Sequence, residues 1–332
     1  MSHQHYHEIE GSDPEHCGHQ LGLMFASTVR RYVSEARAAK AWEDHKRRAA
    51  LLLNSTEQYF PARARELKAY AAAANVALLD LWTMSIKDEL DSDASEQCTT
   101  IVTNGGGLIG HNEDWDRDAA EDICILKKKC GSMTTLQLYY YGSPLGGTAL
   151  TICSAGHIQT INSLQNEYKQ IGVPKVVLAR ELSELGAVAM QLDDLLAIPR
   201  SSGFAHNLVD RAGRVTSIEA TAADYVMCRP RTPFVHTNHP VGGAVQEQKC
   251  AAGHRSTFTR FETARKHVSP SMARSSLERL LSDTSQGRRC SIFNCSTIAR
   301  GIVDLKERAA WFWLRREAEL GWVRYNIEFL FT

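Results

Sequence analysis

The sequence predicts an α+β protein, a four-layered αββα sandwich of mostly antiparallel sheets. Three observations carry that expectation. The stretch from Pro14 to about Leu90 is almost wholly helical in pattern, the chain from Cys98 onward switches to the two-residue alternation of strands, and helical runs return inside that second region. Helices ahead of a sheet-rich core, with further helices inserted in it, bury both kinds of apolar face by stacking in layers. The chain therefore reads as a mainly helical segment, 1–97, and a sheet-rich core, 98–332, together making one compact domain.

Composition narrows the partners. With 332 residues, 43% hydrophobic and 23% charged, the chain is long and apolar enough for a large core. Lys plus Arg equals Asp plus Glu at 38 each and no long basic run occurs, so nucleic acid is excluded as a partner and a small neutral or mixed-charge substrate is favoured. No run of about 18 apolar residues and no charged-then-apolar leader is present, which predicts a soluble, cytoplasmic protein without a membrane partner; an oligomer is compatible with all of this. The nine cysteines are odd in number and follow no framework spacing, so they read as reduced thiols.

In chain order, His3, His5 and His7 alternate, and with His16, Cys17 and His19 they suggest a metal cluster and a metal-dependent hydrolase. A polar N-terminal strand leading into a helix explains them better, because no spacing matches a zinc pattern, and no residue is assigned to a metal. Gly11 and Asp13-Pro14 punctuate strand from helix. Leu21, Leu23, Met24, Val29, Tyr32 and Val33 then recur at helical spacing and are expected in the core, as are Leu52, Leu53, Leu67, Tyr70, Leu81 and Trp82 in the helices that follow. Asp88 to Glu96 breaks the pattern and reads as an exposed polar linker.

Behind it, Thr99 to Thr103 and Leu108 to Trp115 are strand-like and flank Asn104 to Gly107, residues that tolerate positive φ, so they form a tight hairpin that carries Asp114 back towards Cys98. Strands are expected at Ile123 to Lys127, Thr134 to Tyr141, Thr148 to Cys153 and His157 to Leu164, and helices from Gly172-Val-Pro174 to Leu196. A second hairpin is expected at Phe204 to Glu219, with helices near Thr257 to His267 and Met272 to Leu281. Last come strands at Ile298 to Asp304, Ala309 to Leu314 and Val323 to Phe331.

Cys98 is the candidate nucleophile, expected at an exposed strand start. A thiol acts as thiolate, and the usual activator is a neighbouring base. A papain-like arrangement would draw on His111, His236 or His239. Cutting the Gln97-Cys98 bond would instead give Cys98 a free α-amino group, with a reference pKa of about 7.7 to 8.0, to serve as its own base.

Cys-Thr-Thr at 98 to 100, Gly-His-Asn-Glu-Asp-Trp at 110 to 115, Ile-Asn-Ser-Leu at 161 to 164, Gly-Val-Pro at 172 to 174 with Arg180 after it, and His-Thr-Asn-His at 236 to 239 resemble, in that order, the acyl-coenzyme A:6-aminopenicillanic acid acyltransferases and their bacterial relatives. Gly18 and Gly22 in the helical lead-in are similar too. The resemblance implies the N-terminal nucleophile hydrolase fold and a precursor that cuts itself between Gln97 and Cys98, releasing 1–97 as a small subunit. It implies Cys98 as nucleophile, Asp114 orienting the new amino terminus, Asn238 donating to the oxyanion, Asn162 lining the pocket or bracing the site, and His111 and Trp115 as pocket wall. Gln97 departs from the glycine common before the nucleophile, and its Cβ restricts the backbone there. The implied activity is an amidohydrolase or acyltransferase on a linear amide, with no metal or organic cofactor and with a coenzyme A thioester as one acyl donor. The competing reading is an uncut, catalytically silent binding protein of the same fold.

Overall fold

A computed structural model describes residues 2–91, 97–164, 169–186, 188–242 and 255–332. The N-terminal segment opens with strand β1 (Tyr6–Gly11) and runs through helices α1 (Pro14–Met24), α2 (Ala26–Arg37), α3 (Trp42–Tyr59), α4 (Pro61–Ala74), α5 (Leu78–Ser85) and the single turn α6 (Lys87–Leu90). Asp13 caps α1 by accepting from the His16 amide at 2.8 Å, and Pro14 takes the first helical position, where its missing N–H is not needed. A Cβ on Gly18 or Gly22 would fall 2.3 Å from the carbonyl oxygen of Glu66 or Tyr70, so α1 and α4 meet backbone to backbone. Leu23 and Met24, expected in the core, are 58% and 41% exposed. They lie about 100° and 200° around the helix from Gly22 and so turn away from that contact.

Strands β2 (Gln97–Thr103) and β3 (Leu108–Asp114) form the expected hairpin, and Asn104, Gly105 and Gly106 turn it with φ of 54°, 65° and 87°. Next come β4 (Ile123–Cys130), β5 (Met133–Tyr140), β6 (Thr151–Cys153), β7 (His157–Ser163), α7 (Lys175–Ser183), α8 (Val188–Ala197), β8 (Phe204–Asp210) and β9 (Val215–Ala220). The chain continues through β10 (Tyr225–Cys228), β11 (Phe234–His236), α9 (Arg255–His267), α10 (Arg274–Leu281), β12 (Thr297–Asp304), β13 (Ala309–Leu314) and β14 (Val323–Asn326). Some details differ from expectation. The short strand β10 has no clear sequence signal, and the last strand stops at Asn326, giving way to a 3-10 turn over Glu328–Leu330.

One sheet has eight strands in the order β1-β4-β5-β6-β7-β8-β9-β10, and the other six in the order β11-β2-β3-β12-β13-β14. Among the described residues the β1–β4 ladder is parallel and the others are antiparallel. Val102, Ile109 and Phe312 of the smaller sheet pack on Ile125, Leu138 and Ile158 of the larger, which makes the inner layer. Leu21, Val29, Tyr70 and Leu81 cover the far face of the larger sheet at Cys124, Leu126 and Tyr139, while Ala264, Leu277 and Leu281 cover the smaller at Ile101, Leu108 and Ile302. The order is thus helix, sheet, sheet, helix, as expected. No helix among the described residues is long and apolar enough to cross a membrane.

The expected linker is not one throughout. Lys87–Leu90 is helical and Glu89 is buried, accepting from the Lys175 amide at 2.5 Å and the Ser201 and Ser202 hydroxyls at 2.9 and 2.5 Å, so its carboxylate caps the N-terminus of α7. The rest of that stretch, 92–96, lies outside the described residues. A buried ion cluster binds the N-terminal segment to the core. Arg180 reaches Glu66 at 3.3 Å and Glu184 at 3.0 Å, Lys128 reaches Glu184 at 3.0 Å, and Arg63 reaches Glu66, Glu181 and Glu184 at 3.1, 2.5 and 3.3 Å. Burial alone would push the Glu184 carboxyl up, but Arg180, Lys128 and Arg63 beside it hold it at about 2.

Candidate active site

The β2–β3 register sets the site: Gln97 pairs with Asp114, Cys98 with Glu113, and Thr100 with His111. Paired residues in an antiparallel ladder share a face and successive ones alternate. Cys98, Thr100, His111 and Glu113 therefore face the larger sheet, while Gln97, Asn112 and Asp114 face the α9–α10 layer. The side chain beside Cys98 is Glu113, where the sequence pointed to Asp114. Cys98 is also 3% exposed, against the expectation of an exposed strand start, because β2 is an inner strand between β3 and β11 with a sheet on one side and α9 on the other.

The backbone of Cys98 is held at both ends. Its N–H donates to Asn238 Oδ1 at 2.9 Å, and its carbonyl accepts from Arg260 Nη1 at 2.6 Å. Arg260 also donates to Thr99 Oγ1 at 2.9 Å and, through Nη2, to Asn238 Oδ1 at 2.7 Å. Asn238 in turn donates Nδ2–H to the Ser163 carbonyl at 3.0 Å and its backbone N–H to Thr257 Oγ1 at 2.8 Å. Two donors fix which way the Asn238 amide points. Gln97 accepts through Oε1 from the Ser256 hydroxyl at 2.9 Å.

Asp114 lies behind the hairpin, accepting from Asn294 Nδ2 at 2.7 Å. Burial pushes its carboxyl up to about 6, with Arg260, Thr297 and Asn294 opposing the rise. Burial likewise lowers the Arg260 guanidinium, opposed by Asp114 and Cys98.

On the inner face the Cys98 thiol donates to Glu113 Oε2 at 3.6 Å. The same oxygen lies 2.8 Å from His111 Nε2, and Glu113 Oε1 accepts from the Tyr140 hydroxyl at 2.8 Å. His111 Nδ1 meets Thr100 Oγ1 at 3.1 Å, and Thr100 donates to Asn162 Oδ1 at 2.9 Å, which also accepts from Asn207 Nδ2 at 2.9 Å. Asn162 thus braces the cluster from behind. Glu113, Trp115 and Tyr140 line a cavity of about 710 Å³ whose other wall comes from Tyr32, Trp42 and Met84 of the N-terminal helices. Of the two residues read as pocket wall, Trp115 lines the cavity, and His111 is fully buried behind Glu113.

His236, His239, His3, His5 and His7 lie elsewhere. His236 pairs with Glu219 at 3.0 Å, and His239 packs on Phe258 with its pKa lowered to about 4 by burial and by His236 and Arg260. His3 bonds Tyr325 at 2.8 Å, His5 bonds Glu317 at 2.6 Å, and His7 packs edge-on against Phe25. Among the described residues these histidines belong to no group of three or more metal-ligand side chains; the group that is brought together is Cys98, His111 and Glu113.

The sequence profile of the acyl-coenzyme A:6-aminopenicillanic acid acyl-transferase family matches residues 102–319. No curated protein sequence matches the chain. A mutant conjugated bile acid hydrolase from Clostridium perfringens is similar in structure over 70% of this chain and 92% of its own, with 11% identity and a TM-score of 0.45. Penicillin V acylase from Agrobacterium tumefaciens is similar over 66% of this chain and 83% of its own, with 14% identity and a TM-score of 0.42.

Proposed function

The chain belongs to the acyl-coenzyme A:6-aminopenicillanic acid acyl-transferase family, and from that premise we propose that it is a self-processing cysteine N-terminal nucleophile enzyme, an amidohydrolase or acyltransferase acting on a linear, non-peptide amide. The observation that carries this reading is the grip on Cys98: Asn238 and Arg260 hold its backbone at 2.9 and 2.6 Å while its thiol faces Glu113 at the wall of the cavity.

Processing begins when the Cys98 thiol gives up its proton and the sulfur attacks the Gln97 carbonyl carbon. The C–N bond breaks, the nitrogen of Cys98 takes a proton, and water hydrolyses the resulting thioester. The freed α-amino group stays within reach of Asn238 Oδ1 and, with a reference pKa of about 7.7 to 8.0, accepts the thiol proton in each later turnover. The thiolate attacks the substrate carbonyl. Asn238 Nδ2 has a second N–H beyond the one given to Ser163, and with a backbone N–H it stabilises the oxyanion. The ammonium returns its proton to the departing amine, leaving a thioester on Cys98. Water then completes hydrolysis, or a second amine completes transfer, and a coenzyme A thioester is an alternative acyl donor.

Mass spectrometry of the purified protein tests the first half: cleavage yields fragments of 97 and 235 from the 332 residues, and Cys98→Ala yields the intact chain. Gln97→Gly is expected to speed the cut. Amine release from a panel of linear amides tests the second half. Gln97 occupies a regular ladder position opposite Asp114, and this favours the second reading, an uncut binding protein. An intact chain that neither releases amine nor takes up a thiol-directed acylating probe would establish it.

A further inference from the structure

We propose that Cys98, His111 and Glu113 form a binding site for a thiophilic divalent cation, Zn²⁺ foremost, which reversibly occupies the nucleophile. One ligand atom from each residue lies within 4.8 Å of the other two, with His111 Nε2 and Glu113 Oε2 at 2.8 Å and Cys98 Sγ and Glu113 Oε2 at 3.6 Å. Zinc bonds of about 2.0 to 2.3 Å in a tetrahedral arrangement set ligand atoms about 3.3 to 3.6 Å apart, so closing on the ion needs side-chain shifts of under about an ångström.

The ligands are also oriented from outside. The Thr100 hydroxyl donates to Asn162 Oδ1, which leaves Thr100 Oγ1 to accept from His111 Nδ1–H and turns Nε2 toward the cluster. Tyr140 donates to the Glu113 oxygen that does not face Cys98, which leaves Oε2 for the ion. Charge closes too. A dication with one thiolate, one carboxylate and one neutral imidazole is neutral, as a buried site requires, and binding releases whatever protons the ligands carry. Thiolate and imidazole select zinc over magnesium or calcium. Glu113 also lines the 710 Å³ cavity, so the three ligand atoms lie one side chain away from it. With sulfur bound to metal, neither self-cleavage nor amide attack proceeds.

The test reads metal binding and not activity, so it is independent of the hydrolase proposal. The chelator-treated full chain, titrated with Co²⁺, is expected to develop a thiolate-to-cobalt charge-transfer band that saturates at one equivalent and is displaced by Zn²⁺. Cys98→Ser should abolish the band, Glu113→Gln and His111→Ala should each weaken binding by about 100-fold, and Thr100→Val by about 10-fold or more. X-ray absorption on the unmutated zinc-loaded protein, which needs no variant to fold, should show one sulfur with nitrogen and oxygen neighbours. A first shell without sulfur, or a band unchanged in both Glu113→Gln and His111→Ala, overturns the site.

Discussion

Asp114 and Arg260 share a dry compartment behind Cys98, and their burial sets a pH dependence. An acid whose folded pKa is raised from 3.8 to about 6 favours the folded state below the lower value and loses that contribution as pH rises through the upper one; the displacement corresponds to about 3 kcal/mol. Asp114→Asn should therefore leave stability at pH 4 nearly unchanged and raise it at pH 8, flattening the profile in urea unfolding. Arg260 makes a different prediction. Its planar fork serves the Cys98 carbonyl, Thr99 and Asn238 together, and a lysine ammonium cannot replace that geometry. Arg260→Lys should lower kcat for amide turnover by about 100-fold with KM little changed, since Arg260 does not line the cavity. Neither Arg260 nor Glu113 emerged as a site residue from the sequence, for unlike reasons. Arg260 sits 162 positions from Cys98 on an amphipathic helix, where a lone arginine reads as solvated surface. Glu113 was legible: a turn at Asn104 to Gly107 pairs 103 with 108, and counting back pairs 98 with 113. Proximity in sequence to Asp114 hid what the register states.

At the level of elements, local chemistry was a good guide wherever the signal was local. The hairpin, the Asp13-Pro14 start of α1 and the closing strand pair β12–β13 follow from turn residues, caps and alternation. What was not legible depends on partners: α6 looked like a linker because Glu89 is charged, and its burial makes sense only against the α7 N-terminus. Gly18 and Gly22 carry the clearest prediction at this scale. Each Cβ added there meets a backbone oxygen that cannot rotate away, so Gly18→Ala and Gly22→Ala should each separate α1 from α4 and cost about 1 to 3 kcal/mol, read as a lowered urea midpoint.

Over the whole molecule, the segment 1–97 is built into the fold rather than hung from it. It supplies an edge strand of the larger sheet, one wall of the cavity and two members of the buried ion cluster, Arg63 and Glu66. A cut at Gln97-Cys98 is therefore expected to leave both pieces together through size-exclusion chromatography and to separate them only in denaturant. Breaking the cluster with Arg180→Ala leaves Glu66 and Glu184 short of a partner in a dry site and should cost about 3 to 5 kcal/mol.

The parallel pairing of β1 with β4 joins the first residues of the segment to a strand beyond the cut. Before the cut, finding that partner is an event within one chain; afterwards it is an encounter between two molecules. Refolding of a cut protein should then slow in proportion to dilution and its melting temperature should fall as the protein is diluted, while the Cys98→Ala precursor shows neither effect. Self-activation would act as a kinetic latch, leaving an enzyme that assembles readily once and reassembles only when crowded with its own missing half.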